Sequence, residues 1–181
     1  MHTISRDYPA YFFTSITKDR LTVFQKDSMK TVVCSALSEA RGSGGFALYA
    51  YVIMPDHIHI ITDSHRRPSE TLRYINGIVS HRIISYLKEN DFHASLMKLR
   101  DETKERNYKH SLWDHHGNTF LITSESVMKQ RVNYIHNNPV ATGLCEKPTN
   151  YRFSSARIWL GRPDENEPLD IDITNIKWRE A

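Results

Sequence analysis

Apolar residues follow two periods along the chain. Some form short runs rich in β-branched and aromatic side chains, and others form stripes that recur every three or four residues. The runs predict strands at 11–17, 46–54, 57–62 and 119–122, and the stripes predict helices at 28–40, 69–87 and 124–138. The order is β-α-β-β-α-β followed by a helix. It is typical of a ferredoxin-like sandwich, an α+β fold, here with an added C-terminal helix.

Polar residues and prolines indicate where these helices begin and end. Ser69 and Ser124 are expected to act as N-caps, and Asn138 before Pro139 is a natural helix end, because proline disfavours the α conformation in the residue before it. Residues 91–110 are charged and weakly periodic, which fits either a longer helix or a flexible excursion. The expected buried stripe of the second helix consists of Leu72, Ile75, Val79, Ile83 and Leu87.

The length of 181 residues is typical of one domain, which we expect to span residues 1–160. No apolar run approaches the roughly 20 residues that cross a bilayer, and the first residues lack the apolar core of a signal peptide. We therefore expect a cytoplasmic protein. Cys34 and Cys145 are too few for a disulfide framework and form no Cys-x-x-Cys zinc motif.

Charge is unevenly distributed. The formal net charge is +3, yet residues 162–181 carry −3, so the rest of the chain carries +6. A basic body with an acidic tail, which we place at residues 161–181, suits a protein that binds a polyanion. One hypothesis is that the segment 164–172 folds over a basic cleft and competes with this polyanion.

Two histidines one residue apart stand at the start of the third predicted strand, in the run Met-Pro-Asp-His-Ile-His at 54–59. Residues i and i+2 of a strand share a face, so His57 and His59 would lie side by side with apolar neighbours around them. Such a pair can bind a metal ion. Taken alone, the spacing favours buried histidines that are satisfied by backbone hydrogen bonds.

Tyr134 and Asn138 are separated by four residues on the last predicted helix, so a phenol and an amide project from one helix face. They could bring a nucleophile and a third oxygen ligand to one site. Spacing alone favours a core tyrosine and a helix-ending asparagine. His136 lies two residues from Tyr134, on another face, and we do not expect it to act as the base.

These two blocks, with the tail Gly143-Leu144 through Tyr-Arg-Phe-Ser-Ser at 151–155, resemble the single-tyrosine HUH transposases, and most closely the REP-associated tyrosine transposases. The resemblance extends from about residue 11 to 155. The group often has a basic and aromatic run after a tryptophan, whereas this chain has Asp-His-His-Gly after Trp113. His115 and His116 could bind metal only across a turn or bulge.

The resemblance implies DNA nicking and rejoining, or transposition, with Tyr134 as the nucleophile that forms a 5′-phosphotyrosine link. It implies a divalent metal on His57, His59 and Asn138, and this mixed nitrogen and oxygen set favours Mg²⁺ or Mn²⁺. The implied partner is single-stranded or hairpin DNA of palindromic REP elements. Monomer and homodimer both fit the sequence.

Basic residues flank the expected site. Between residues 65 and 110 there are ten Lys or Arg and six Asp or Glu, with tyrosines that could stack on unpaired bases. The candidate DNA-binding residues are Arg66, Arg67, Arg73, Arg82 and Arg131. Two rival functions stay open: a domesticated hairpin-DNA-binding protein with little or no cleavage activity, and a small metal-dependent protein that never meets DNA.

Overall fold

A computed structural model of the chain describes residues 2–5, 8–63, 65–100, 110–114 and 117–178. The strands are β1 (His2–Ile4), β2 (Ala10–Ile16), β3 (Leu48–Ile53), β4 (His57–Thr62), β5 (Asn118–Ile122) and β6 (Ile176–Trp178). The α-helices are α1 (Asp27–Gly44), α2 (Pro68–Glu89), α3 (His93–Lys98), α4 (Glu125–Ala141) and α5 (Ala156–Trp159). Across these ranges, no helix is long and apolar enough to cross a bilayer.

The central sheet has four antiparallel strands in the order β3-β4-β2-β5. Helix α1 connects β2 to β3, and α2 connects β4 to β5. In both cases the two connected strands are not neighbours in the sheet. This is the ferredoxin-like arrangement, so the predicted fold class is confirmed. A separate parallel pair, β1 with β6, was not predicted.

Alternation along the strands gives the sheet two apolar faces. Phe13, Ile58 and Ile60 point to one face and pack with buried residues of α1 and α2. Phe12 and Ile61 point to the other face and pack with buried residues of α4. The histidines of β4 have the same parity as Ile61, so they lie on the face that α4 covers.

Helix α2 begins one residue earlier than predicted. Pro68 is its first helical residue and Arg67 is the N-cap, so the prediction of Ser69 as the cap is wrong. Proline suits the first helical position, because its fixed φ is helical and the missing N–H would have had no partner there. Four residues of the predicted stripe are buried, and Leu72 is partly buried.

Helix α4 begins as predicted and ends later. Ser124 is the N-cap, and its hydroxyl accepts a hydrogen bond from the Val127 amide. The expected end at Asn138 is wrong, because the helix continues through Pro139 to Ala141. Proline removes one N–H from the helix interior. The helix loses one hydrogen bond there, and the burial of Ile135 and Pro139 on its packed face offsets that loss.

In its described part, the charged stretch 91–110 neither extends α2 as one long helix nor runs free of the core. Short helix α3 ends at Lys98, Leu99 is fully buried, and Arg100 pairs with His110 in an isolated bridge. Residues 101–109, and also His115 and His116, lie outside the described residues.

Candidate active site

Two imidazoles lie next to each other on β4, with their ring centroids 4.8 Å apart. The Nδ1 of His57 donates a hydrogen bond to the Asp56 carboxylate at 2.6 Å, and the Nδ1 of His59 lies 2.9 Å from the Thr14 hydroxyl. Each ring therefore has one nitrogen engaged by a polar partner behind it. The Nε2 atoms remain for a ligand, which is the usual arrangement of metal-binding histidines.

Burial keeps the second imidazole neutral. His59 is only 4% exposed, and burial, followed by the nearby His57, lowers the pKa of His59 to about 3. A neutral imidazole is the form that binds a metal ion. The prediction from strand alternation is borne out in its geometry, because His57 and His59 share a face while Ile58, Ile60 and Ile61 are buried around them.

Helix α4 places Tyr134 over this histidine pair. The Tyr134 ring meets the His59 ring edge-on at a centroid distance of 5.5 Å, and it meets Phe12 at 6.0 Å. Tyr134 is 50% exposed. The alternative of a core tyrosine is therefore wrong, because this phenol borders solvent while Ile135 beside it is fully buried.

Asn138 follows Tyr134 by one helical turn. Its Nδ2 donates to the Tyr134 carbonyl at 2.9 Å, which leaves Oδ1 as the atom available to accept a hydrogen bond or bind a cation. Asn138 lines the same cleft as His57 and His59, so this amide lies near the two imidazoles. In the described part of the chain, no three His, Cys, Asp or Glu residues cluster as a metal site.

These side chains line one open cleft of about 570 Å³ between the sheet and α4. The cleft residues are Phe12, Thr14, Ile16, Arg20, His57, His59, Asn118, Phe120, Arg131, Tyr134 and Asn138. Five of them were predicted from the sequence, whereas those contributed by β2, the following turn and β5 were not. The residues of β2 and β5 carry no motif of their own and are brought in by strand pairing, and Arg20 is held there by its hydrogen bond to Asp56.

Asp56 links the histidine pair to a basic residue. One carboxylate oxygen accepts from His57, and the other accepts from Arg20 at 3.1 Å. Burial opposes ionisation of Asp56, but the hydrogen bonds from His57 and Arg20 together hold its pKa below the usual value. Asp19 and Arg20 both adopt left-handed backbone conformations, with φ of 53° and 52°. Such strain in side-chain-bearing residues is more common at functional sites.

The five predicted DNA-binding arginines fall in different places. Arg131 lines the cleft one turn before Tyr134, whereas Arg66 and Arg73 line a separate groove on α2 with Tyr74. Arg82 donates to Glu39 of α1 at 2.7 Å, and Arg67 caps α2. Helices α1 and α2 cover the opposite face of the sheet. Of the five predicted arginines, only Arg131 therefore lies in the cleft with the histidines and Tyr134.

His136, within the tyrosine block, faces away from the cleft. It is buried, and its Nε2 lies 2.9 Å from the Ser155 hydroxyl, which also bonds the backbone of Tyr51. Burial lowers the pKa of His136 to about 4. The conspicuous residues His136 and Ser155 therefore connect α4 and the following loop to β3.

The acidic segment does not cover the cleft. Leu169 packs into the core beneath α1, the Asp170 carbonyl accepts from Arg41, and the Asp172 carboxylate accepts from the Leu48 amide. None of the cleft-lining residues belongs to this segment. The hypothesis that 164–172 folds over the cleft is contradicted, because its backbone and side chains are engaged at α1 and the start of β3.

The chain is similar to known proteins over most of its length. Residues 9–138 match the family model described as transposase, IS200-like. A Haemophilus influenzae protein named "Putative REP-associated tyrosine transposase" is 28% identical over 173 residues, covering 89% of this chain and 93% of that protein. A solved REP-associated tyrosine transposase, bound to a REP hairpin, superposes with a TM-score of 0.62 at 18% identity, covering 92% of this chain and 88% of the other.

The family model spans most of the chain and includes both histidines, Tyr134 and Asn138. The chain therefore belongs to the IS200-like transposase family, and the resemblance stated from its sequence is confirmed. The superposition supports the fold of the REP-associated tyrosine transposases.

Proposed function

We propose that this protein is a metal-dependent single-stranded DNA endonuclease and strand transferase with Tyr134 as its nucleophile. The observation that carries the proposal is the half-exposed phenol of Tyr134 at the mouth of a cleft beside His57 and His59. A half-exposed tyrosine buries little apolar surface and so stabilises the fold little. Its place over two imidazoles therefore fits a catalytic role better than a packing role.

The residues present fit a divalent ion. Nε2 of His57, Nε2 of His59 and Oδ1 of Asn138 would hold it, with Asp56 and Thr14 orienting the two rings. When bound, the ion would act as a Lewis acid on the non-bridging oxygens of the reacting phosphate. We propose Mg²⁺ or Mn²⁺, since the donor set has no thiolate and includes an amide oxygen.

The reaction is a transesterification at phosphorus. The phenolic oxygen of Tyr134 loses its proton to solvent or a base and forms a bond to phosphorus, while the bond from phosphorus to the 3′ oxygen breaks. The leaving oxygen takes up a proton and becomes a free 3′-hydroxyl, and the DNA 5′ end stays attached to Tyr134. A later attack by a 3′-hydroxyl reverses these changes and rejoins the strand without any external energy source.

The proposed substrate is a palindromic repeat folded into a hairpin with unpaired flanks. Two observations support it. The related structure is bound to a REP hairpin, and a groove at the start of α2 is lined by Arg66, Arg73 and Tyr74, with Glu70 as its one carboxylate among the described residues. The Arg66 guanidinium lies 4.9 Å from the centroid of the Tyr74 ring. Such a pair offers charge for phosphates and a ring for stacking.

The test is a cleavage assay on single-stranded DNA that carries the palindromic repeats flanking the gene, with Mn²⁺ or Mg²⁺. We expect a covalent protein–DNA adduct on a denaturing gel that requires metal and is absent with Tyr134→Phe. Tyr8→Phe is the matched control, because Tyr8 is exposed and lines neither the cleft nor the groove on α2, and it should still form the adduct. Hairpin binding without any adduct would instead support the domesticated DNA-binding protein, and the absence of both would reject a role on this DNA.

A further inference from the structure

An arginine and a phenylalanine are stacked inside the cleft. The Arg131 guanidinium carbon lies 3.8 Å from the centroid of the Phe120 ring and 5.6 Å from that of Phe12. Arg131 is one helical turn before Tyr134 on the same face of α4, so the stack stands beside the phenol. The planar side chain is held by the rings of two strands.

Arg131 is an uncompensated charge in this cleft. None of the described residues that line the cleft is acidic, and the other arginine there, Arg20, is paired with Asp56. Within the described ranges, the Nε of Arg131 is buried and has no hydrogen-bond partner. A guanidinium with a desolvated Nε is poised for an anion, because that N–H lacks the hydrogen bond it would have in water.

Phe120 is an exposed aromatic residue on the edge strand of the sheet. It pairs with Phe12 in register and points to the α4 face, yet it is 42% exposed. Leu121 points to the opposite face of the same strand and is 50% exposed. Among the exposed residues of β5, only Phe120 is aromatic and lines the cleft. Leu121 beside it is aliphatic and lies outside the cleft.

We propose that Phe120 and Arg131 form a nucleotide subsite for the unpaired DNA next to the cleaved bond. The exposed surface of Phe120 stacks an unpaired base, and the Arg131 N–H groups bind the phosphate of that nucleotide. The subsite rests on the proposed function, which it deepens: it accounts for how a single strand is held in line with Tyr134. It acts on unpaired nucleotides and leaves the hairpin stem to other surfaces.

The test compares two DNA probes on full-length protein carrying Tyr134→Phe, so that binding is measured without cleavage. One probe is the repeat hairpin with an unpaired flank, and the other is the same hairpin with a blunt end. Phe120→Leu keeps the apolar volume and removes the ring. We expect it to weaken binding of the flanked hairpin about tenfold, as for the loss of one stacked base, and to leave the blunt hairpin unchanged.

Three further variants separate stacking from a structural role. Phe120→Trp should restore the affinity for the flanked hairpin, and Leu121→Ala, the matched control on the other strand face, should leave it unchanged. Arg131→Lys keeps the charge but loses the planar group over Phe120, and should also weaken binding of the flanked hairpin selectively. Thermal unfolding of each variant confirms that it is folded before its affinity is compared.

The outcomes separate the subsite from the proposed function. If the protein with Tyr134 intact forms the covalent adduct but Phe120→Leu binds both probes as well as its parent, the subsite is rejected and the endonuclease stands. Equal weakening on both probes also rejects it, because the loss is then not specific to unpaired DNA. If no adduct forms and neither probe binds, both proposals fall together.

Discussion

The two imidazoles of the cleft are oriented by different partners. His57 donates to a carboxylate that is itself held by Arg20, whereas His59 meets the hydroxyl of Thr14. Removing the group behind a metal-bound histidine frees the ring to rotate and lowers its basicity. The contribution of Asp56 to ion binding can therefore be measured apart from catalysis.

Asp56→Ala should reduce Mn²⁺ affinity by roughly 10- to 100-fold, because His57 then loses the acceptor that orients it. Titration of the protein with Mn²⁺, followed by calorimetry or electron paramagnetic resonance, measures the change. Glu39→Gln is the control, since Glu39 is an exposed carboxylate that pairs with Arg82 outside the cleft. Equal affinities for wild type and Asp56→Ala would exclude an orienting role for this carboxylate.

A buried histidine makes the stability of the fold depend on pH. Burial lowers the pKa of His136 to about 4, whereas in the unfolded chain it titrates near its ordinary value of 6.5. The unfolded state therefore binds more protons between these two pH values. The contribution of neutral, buried His136 to the free energy of unfolding is therefore fully present above pH 6.5 and is lost as the pH falls toward 4.

His136→Gln should flatten this dependence. The loss of one differential proton removes up to about 1.4 kcal/mol per pH unit from the slope of the unfolding free energy between pH 4.5 and 6. Urea unfolding at several pH values measures the slope. His93→Gln is the control, because His93 is exposed on α3. A slope that is the same in wild type and His136→Gln would contradict the assigned burial effect.

At the scale of elements, α4 joins the core to the cleft. Its buried residues Met128, Val132 and Ile135 pack on the sheet, while Arg131, Tyr134 and Asn138 project into the cleft. The position of Tyr134 in the cleft therefore depends on how firmly these buried residues pack on the sheet. Ile135 is adjacent to Tyr134 in sequence and is fully buried.

Ile135→Ala should cost about 2–5 kcal/mol of stability, and Ile135→Val about 0.5–1.5 kcal/mol, through lost burial and the cavity left behind. Urea unfolding gives these values. Adduct formation by Ile135→Val should fall with little change in DNA affinity, since a loosened helix misplaces the phenol. Asn137→Ala changes an exposed position on the same helix and should alter neither property. A full adduct yield from Ile135→Val would show that helix seating does not limit the reaction.

The elements could be predicted from sequence where local chemistry decides them, and less well where packing does. Strand β4 was predicted with its observed ends, and the N-cap Ser124 was predicted correctly, because alternation and capping are local signals. The passage of α4 through Pro139 was not predicted, since burial in the core overrides the local preference of a residue before proline. Phe120 and Thr14 were missed because only strand pairing brings them to the histidines.

At the scale of the whole molecule, the acidic C-terminal segment stabilises the body. Arg157 makes a two-pronged ion pair with Glu167, Leu169 enters the core shared by α1 and α2, and β6 pairs with β1. The charge asymmetry seen in the sequence therefore does not translate into a competitor for DNA. The segment leaves the cleft open, and its carboxylates Glu167 and Asp172 pair with Arg157 and Arg41 outside the cleft.

Leu169→Ala tests this assignment of the segment. We expect it to lower stability by about 2–5 kcal/mol, because Leu169 is almost fully buried, while DNA affinity of the folded protein stays unchanged. Denaturant unfolding and DNA titration at low salt measure the two properties, with Asn166→Ala as the exposed control nearby. A segment that competed with DNA would behave in the opposite way: loosening it would tighten DNA binding at low salt, where charge competition is strongest. Tighter binding by Leu169→Ala would therefore restore competition with DNA as the role of this segment.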